Sequence, residues 1–286
     1  MSAAPDPTKA TARSPFAGCT IMLVVGAVMI FLVFFSTWAL FRQADEIAKF
    51  TDEKPQPVEI TPTDTREADL TSLAERVENF RQSLDREEET HLELTADELN
   101  LAIAAFGTLS ELRGTFHIRE LRDDGRAVID ISLKLNGKPR RPHDGESGIV
   151  ASDPRFLNGT LIARPELVQG QIVLRLDSIE IPGKVVPEPF RQNMSPYRVT
   201  DRYLEDPVIG PAMKKLTSVE VTGGKVILRK TPGVNPPQTI TNDQVDTAAN
   251  RLFKWLGIAA ATFLVVVGLL IFIGFRLKKR KDAEAK

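Results

Sequence analysis

The chain has 286 residues, 42% of them apolar, and its formal charge of −1 conceals an asymmetry. Between positions 43 and 253 there are 35 acidic and 27 basic residues, a local charge of −8. That balance excludes nucleic acid as a partner, because phosphate contacts need clustered Lys and Arg. Cys19 is the only cysteine, so no intrachain disulfide can form and the middle of the chain must fold on an apolar core.

Residues 1–16 are rich in Ala, Pro, Ser and Thr and read as a disordered cytoplasmic tail. No charge occurs between Arg13 and Arg42, and 21–35 is almost wholly Ile, Leu, Val, Met and Phe. A bilayer core of ~30 Å needs roughly 20 apolar helical residues, so 17–42 is a first membrane helix. A cleaved signal peptide fits less well. The apolar stretch exceeds a typical signal core, and Thr37-Trp38-Ala39 is a poor small-x-small site. Cys19 precedes the apolar stretch, where a lipoprotein cysteine would follow it, and reads as a small apolar helix residue.

Residues 43–63 carry Pro55, Pro57 and Pro62 and read as a linker, leading to an extracytoplasmic domain over 64–230. Leu70, Leu73, Val77, Phe80 and Leu84 recur at steps of three and four, one apolar stripe on a helix over 64–85. The stripe packs on its own domain or forms a seam between two copies. A strand follows at 87–94. Thr95 and Glu98 form a capping box, with Leu94 and Leu99 as a hydrophobic staple, for a helix running to Phe106.

Three hairpins come next. Strands 114–122 and 126–135 flank Asp123-Asp124-Gly125, and alternation in the second puts Ala127, Ile129, Ile131, Leu133 and Leu135 on one face. After a polar loop over 138–154, strands 156–168 and 171–181 flank Gln169-Gly170, with Pro165 at an edge or bulge. Short helices are expected at 187–194 and 207–216, the second capped by Asp206 with Pro207 in its first turn. Strands 218–221 and 225–228 close the domain around Thr222-Gly223-Gly224. The fold class is therefore α+β, an antiparallel hairpin sheet with packed helices.

Pro232, Pro236 and Pro237 mark a second linker, 231–253, before a second membrane helix at 254–275. The tail 276–286 is basic. Arg276, Lys278, Lys279, Arg280 and Lys281 hold that end in the cytoplasm, and two spans bring the N-terminus to the same side. Trp38 and Trp255 then both lie at the outer interface, where indoles are favoured. The chain is expected in the cell membrane as a two-pass protein whose central domain faces outward.

Catalytic chemistry is hard to find. His143, Asp144 and Ser147 have the residue types of a nucleophilic triad. They crowd into five residues of turn composition, and Gly145-Glu146-Ser147-Gly148 lacks the spacing of a nucleophile elbow. His91 and His117 stand on separate strands without ligands at metal spacing. No catalytic, cofactor or metal residue is assigned. Asn158-Gly-Thr160 and Asn193-Met-Ser195 fit the glycosylation sequon, a pattern common by chance.

The run Leu94-Thr-Ala-Asp-Glu-Leu-Asn100, together with Phe156-Leu-Asn-Gly159, 178–190 and 217–228, resembles uncharacterised bacterial membrane-anchored proteins with a YpmS-type exported domain, similar in shape to tubular lipid-binding (TULIP-like) folds. The resemblance covers about 92–229 and implies a capped helix followed by twisted antiparallel hairpins. The second span departs from that single-anchor pattern. Three functions stand in order: a non-enzymatic bacterial-envelope module that binds a lipid-like ligand or an envelope protein, a scaffold subunit of a membrane complex, and an unrecognised hydrolase. For the first, the apolar faces of strands 126–135 and 171–181 and of the helix carrying Leu99, Ile103 and Phe106 would flank an apolar groove.

Overall fold

The computed structural model describes residues 15–234 and isolated positions between Ile258 and Arg276. The chain divides into two compact units, Met1–Leu40 with Thr241–Lys286, and Phe41–Ile240.

In chain order, helices α1 (Pro15–Phe50) and α2 (Glu67–Asp85) precede strand β1 (Thr90–Thr95), helix α3 (Ala96–Ala105) and a 3-10 turn (Gly107–Leu112). Strands β2 (Phe116–Leu121), β3 (Ala127–Arg140), β4 (Ala151–Val168) and β5 (Gln171–Glu180) follow, then helix α4 (Glu188–Met194), a 3-10 turn (Asp201–Tyr203), helix α5 (Ile209–Lys215), and strands β6 (Ser218–Thr222) and β7 (Lys225–Lys230).

Helix α1 carries the apolar run. Within its stretch Val25–Phe50 an 18-residue window has a mean hydropathy of 1.9, and it is the one helix among the described residues long and apolar enough to cross a membrane. Met29, Ile30, Val33 and Phe34 are all exposed on it. The expected second span, with Trp255, falls almost wholly outside the described residues, as do Lys278, Lys279, Arg280 and Lys281, the tail 1–14 and most of 231–253. The side chain of Cys19 is likewise outside them.

The domain is α+β with antiparallel strands and packed helices. The strands form two sheets, not one. A four-stranded meander runs β2-β3-β4-β5, and a three-stranded sheet runs β1-β7-β6. The β2–β3, β4–β5 and β6–β7 hairpins arise locally at the expected turns, where Gly125, Gln169, Gly170, Gly223 and Gly224 adopt positive φ. The second sheet exists because β1 pairs with β7, from Thr90↔Lys230 to Thr95↔Lys225.

The α2 stripe is used inside the chain. Leu73, Phe80 and Leu84 are buried, with Leu70 and Val77 partly so, against Leu92 and Leu94 of β1, Leu101 and Ala102 of α3, Leu216 and Val219. The α3 capping box is complete. Thr95 Oγ1 accepts from the Glu98 N–H at 3.2 Å, and the Glu98 carboxylate accepts from the Thr95 N–H at 2.8 Å. Arg76 of α2 bonds to Glu98 and to the Glu93 carbonyl, fastening α2 to the same corner.

Two expectations change. The polar loop over 138–154 shrinks to 141–150, because β3 runs on to Arg140 and β4 begins at Ala151 beyond a register shift between Asn136 and Pro139. These extensions are polar and carry no apolar alternation to betray them.

Of the expected linker 43–63, residues up to Phe50 continue helix α1, and the remainder lies bound to the domain as a strap. Asp52 and Phe156 exchange backbone hydrogen bonds of 2.8 Å each way. The β4–β5 ladder ends at Thr160↔Glu180, so the first half of β4 has an open edge that Asp52 occupies. Asn158, 4% exposed, accepts from the Gln56 N–H and the Ser132 hydroxyl and donates to Asp52 and the Lys54 carbonyl. At the end of α1, Arg155 donates to Thr51 Oγ1 and to the carbonyls of Ala48 and Thr51, satisfying acceptors that a helix C-terminus leaves open. Phe50 is buried in the core, its ring 4.7 Å from that of Phe190. The Lys184 ammonium beside Asp52, assisted by Asn158, holds its carboxyl below the usual carboxylate range.

Candidate functional site: an apolar cavity between the sheets

The two core clusters do not close completely on one another. Between them lies a cavity of about 360 Å³. Val77, Phe80 and Leu84 of α2 form one wall, and Leu99, Ala102 and Ile103 of α3 another. The four-stranded sheet contributes Ala127, Ile129, Ile172 and Leu174, and the three-stranded sheet contributes Leu92, Leu94, Val219, Val226 and Leu228. Helix α5 and the segment before it close the remaining side with Tyr203, Val208, Ala212 and Met213. Of the lining residues, only Arg81, Thr200 and Tyr203 carry an N–H or O–H on the side chain. Val208, also on the lining, is 54% exposed.

Local sequence explains the lining. Alternation on β1, β3 and β5 and the helical spacing on α2 and α3 aim one apolar face of each element inward. Packing these elements against one another over two sheets leaves a gap beside short side chains, Ala102, Ala127 and Ala212.

The polar groups are disposed unequally. Arg81 is engaged by Glu78 and Asp85 on its own helix, and the paired guanidinium holds the Glu78 carboxyl down at about 2. Thr200 donates to the Ile172 carbonyl at 2.8 Å. The Tyr203 hydroxyl is buried with no hydrogen-bond partner, and burial pushes it above the usual phenol range.

Of the residues expected to flank a groove, Ala127, Ile129, Ile172, Leu174, Leu99 and Ile103 line the cavity. Ile131, Leu133, Leu135, Leu176 and Phe106 pack elsewhere in the core. Sequence reasoning did not single out Tyr203. It also missed Asn100, which is buried on α3 and bonds both backbone groups of Ile118, where the β2 register shifts. Nothing in periodicity marks a side chain that substitutes for a strand partner.

The other singled-out residues lie apart. His143, Asp144 and Ser147 are all exposed in the 141–150 loop, and no hydrogen bond joins their side chains. The His143 N–H is engaged by Glu146, which Arg140 clamps. His91 is exposed on β1, and His117 lies 3.9 Å from Glu59 of the strap. Among the described residues no group of three or more His, Cys, Asp or Glu could hold a metal ion. Trp38 is 49% exposed on α1, and the Arg276 guanidinium lies 5.4 Å from the Phe272 ring centre. Comparison of the chain with protein-family models, with curated proteins and with solved structures gives no match.

Proposed function

We propose that this protein is a non-enzymatic, membrane-anchored binding module that takes an apolar chain into the cavity between its sheets. The observation that carries the reading is a 360 Å³ space walled almost entirely by hydrocarbon, in the size range of small-molecule sites. A chain carbon takes roughly the volume of a liquid water, ~30 Å³, so the space suits on the order of a dozen carbons. The apolar surface of α1 supports a bilayer as the source of that chain, since such surface is stable only in an apolar medium or under cover.

The test uses the full-length protein in detergent. Native mass spectrometry should find a co-purifying lipid chain. Each buried CH₂ contributes about 0.8 kcal/mol, so in a titration series affinity should rise about tenfold for every two carbons and level off near a dozen. No bound chain and no saturable binding would end this reading and leave a protein partner as the alternative.

The two-pass arrangement belongs to the same proposal. Arg276, Lys278, Lys279, Arg280 and Lys281 support a cytoplasmic C-terminus, and the pair Trp38 and Trp255 supports an outer interface at the near end of each span. A phosphatase reporter fused after Lys230 should be active, and one fused after Lys286 inactive. The opposite pattern would reverse the orientation and place the domain in the cytoplasm.

A further inference from the structure

We propose that the β3–β4 loop is a second membrane contact, which dips Ile149 and Val150 into the surface of the bilayer that α1 enters. The inference rests on the membrane-anchored reading above and goes beyond it, since the cavity plays no part. In the loop 141–150 the side chains of Ile149 and Val150 are 94% and 66% exposed. They sit in an uncharged run, Ser147-Gly-Ile-Val-Ala-Ser152, and two adjacent branched hydrocarbon side chains are poorly placed in water. The other two turns of the four-stranded sheet, Asp123-Asp124-Gly125 and Gln169-Gly170, carry no large apolar side chain.

The hairpin is tied to the end of α1 at two levels, and these fix what covers the loop. Arg155 of β4 donates to the carbonyls of Ala48 and Thr51 at 3.0 and 2.7 Å. Lys138 of β3, three residues nearer the loop than Leu135, the partner of Arg155, lies 5.9 Å from the centre of the Phe41 ring. The hairpin therefore follows α1 from Thr51 back to Phe41, and the loop begins just past that level. Phe41 is the last residue but one of the expected span 17–42, so its ring marks the bilayer surface. Gly137 permits the crossing, because a Cβ there would lie 2.5 Å from the Arg155 side chain. Charge does not oppose the contact. Lys138, Arg140 and Arg141 are matched by Asp144, Glu146 and Asp153, and Arg140 clamps both Glu146 and Asp153. The contact is thus apolar insertion and needs no anionic lipid. The two polar turns lie at the other end of the sheet, since β3 spans 14 residues, roughly 45 Å at ~3.3 Å per residue.

The experiment uses the full-length protein in neutral phosphatidylcholine vesicles, with Cys19→Ala removing the native thiol. One environment-sensitive fluorophore is attached in the loop, through Ser147→Cys, or in the far turn, through Asp123→Cys, and nitroxides on the lipid chains act as quenchers. The loop probe should emit at shorter wavelength than the turn probe and lose most of its emission to the quencher, while the turn probe loses none. Adding Ile149→Asp and Val150→Asp should abolish both effects at the loop probe and leave the melting temperature unchanged, because both side chains are exposed. A loop probe that is not quenched overturns the inference, as does quenching that survives the double substitution. Equal quenching at the two positions, or quenching that appears only when anionic lipid is added, overturns it too. Protein that fails to float with the vesicles would overturn the anchored reading and the inference with it, whereas the outcomes above leave that reading standing.

Discussion

Replacing Ala212 by Phe should deprive the protein of its apolar ligand and leave the ligand-free form more stable. Ala212 lies on α5, lines the cavity and is only half-buried, so a larger side chain can turn inward without displacing a strand. The added ring occupies volume that a bound chain needs. It also gains apolar burial worth roughly 1–3 kcal/mol, offset in part by lost rotamer freedom. For a domain of this size, 1 kcal/mol shifts the melting temperature by about 2–4 °C. The expected pair is therefore a melting temperature higher by a few degrees and a loss of chain binding of at least about tenfold. Thermal unfolding and titration of the full-length protein check both. Unchanged binding in the stabilised variant would place the ligand elsewhere.

The second large effect is expected at Asn158. Its amide joins β4 to Gln56, Asp52, Lys54 and Ser132. Asn158→Ala removes all four bonds and leaves the buried Ser132 hydroxyl without its acceptor, an unmet group that by itself costs about 1–3 kcal/mol. A total loss of about 3 kcal/mol is expected, concentrated in the strap. Hydrogen exchange should accelerate over 52–58 while Ile129 and Ile131 stay protected. Uniform loss of protection would mean that the strap and sheet unfold as one.

Acid should loosen the same latch. The folded carboxyl of Asp52 titrates below its ordinary value of 3.8, chiefly through Lys184 and then Asn158. Its contribution is present above the unfolded value and lost as pH falls through the folded one. Exchange over 52–58 should accordingly rise below about pH 4. Asp52→Asn should flatten that dependence.

What the sequence disclosed was local. The capping box needs only Thr95 and Glu98, and the α2 stripe needs only a 3.6-residue period. Each β-hairpin announces itself at its turn. The features that stayed hidden depend on partners far along the chain. Pro55, Pro57 and Pro62 read as a linker because proline lacks the donor that pairing needs. The strap holds mostly by other means, through Asp52, the Val58 N–H donating to Gly114, and side chains of Asn158, Arg155 and Lys184 reaching across from the sheet. The groove could be anticipated from inward-facing apolar strands. Its polar exception could not, since Tyr203 sits in a short 3-10 turn with no periodicity to orient it.

The pairing of β1 with β7 has a consequence for how the protein is made. Hairpins β2–β3 and β4–β5 involve near neighbours and can form as soon as they leave the ribosome. Strand β1 emerges before them, and its partner is among the last residues of the domain to be synthesised. Until β7 arrives, Leu92 and Leu94 have neither their sheet nor their full cover, and β1 presents an unpaired edge open to other strands. The interval between synthesis of β1 and of β7 is thus the period of greatest exposure to misassociation. A nascent chain stalled before Lys225 would leave the apolar faces that wall the cavity without the cover that β7 provides.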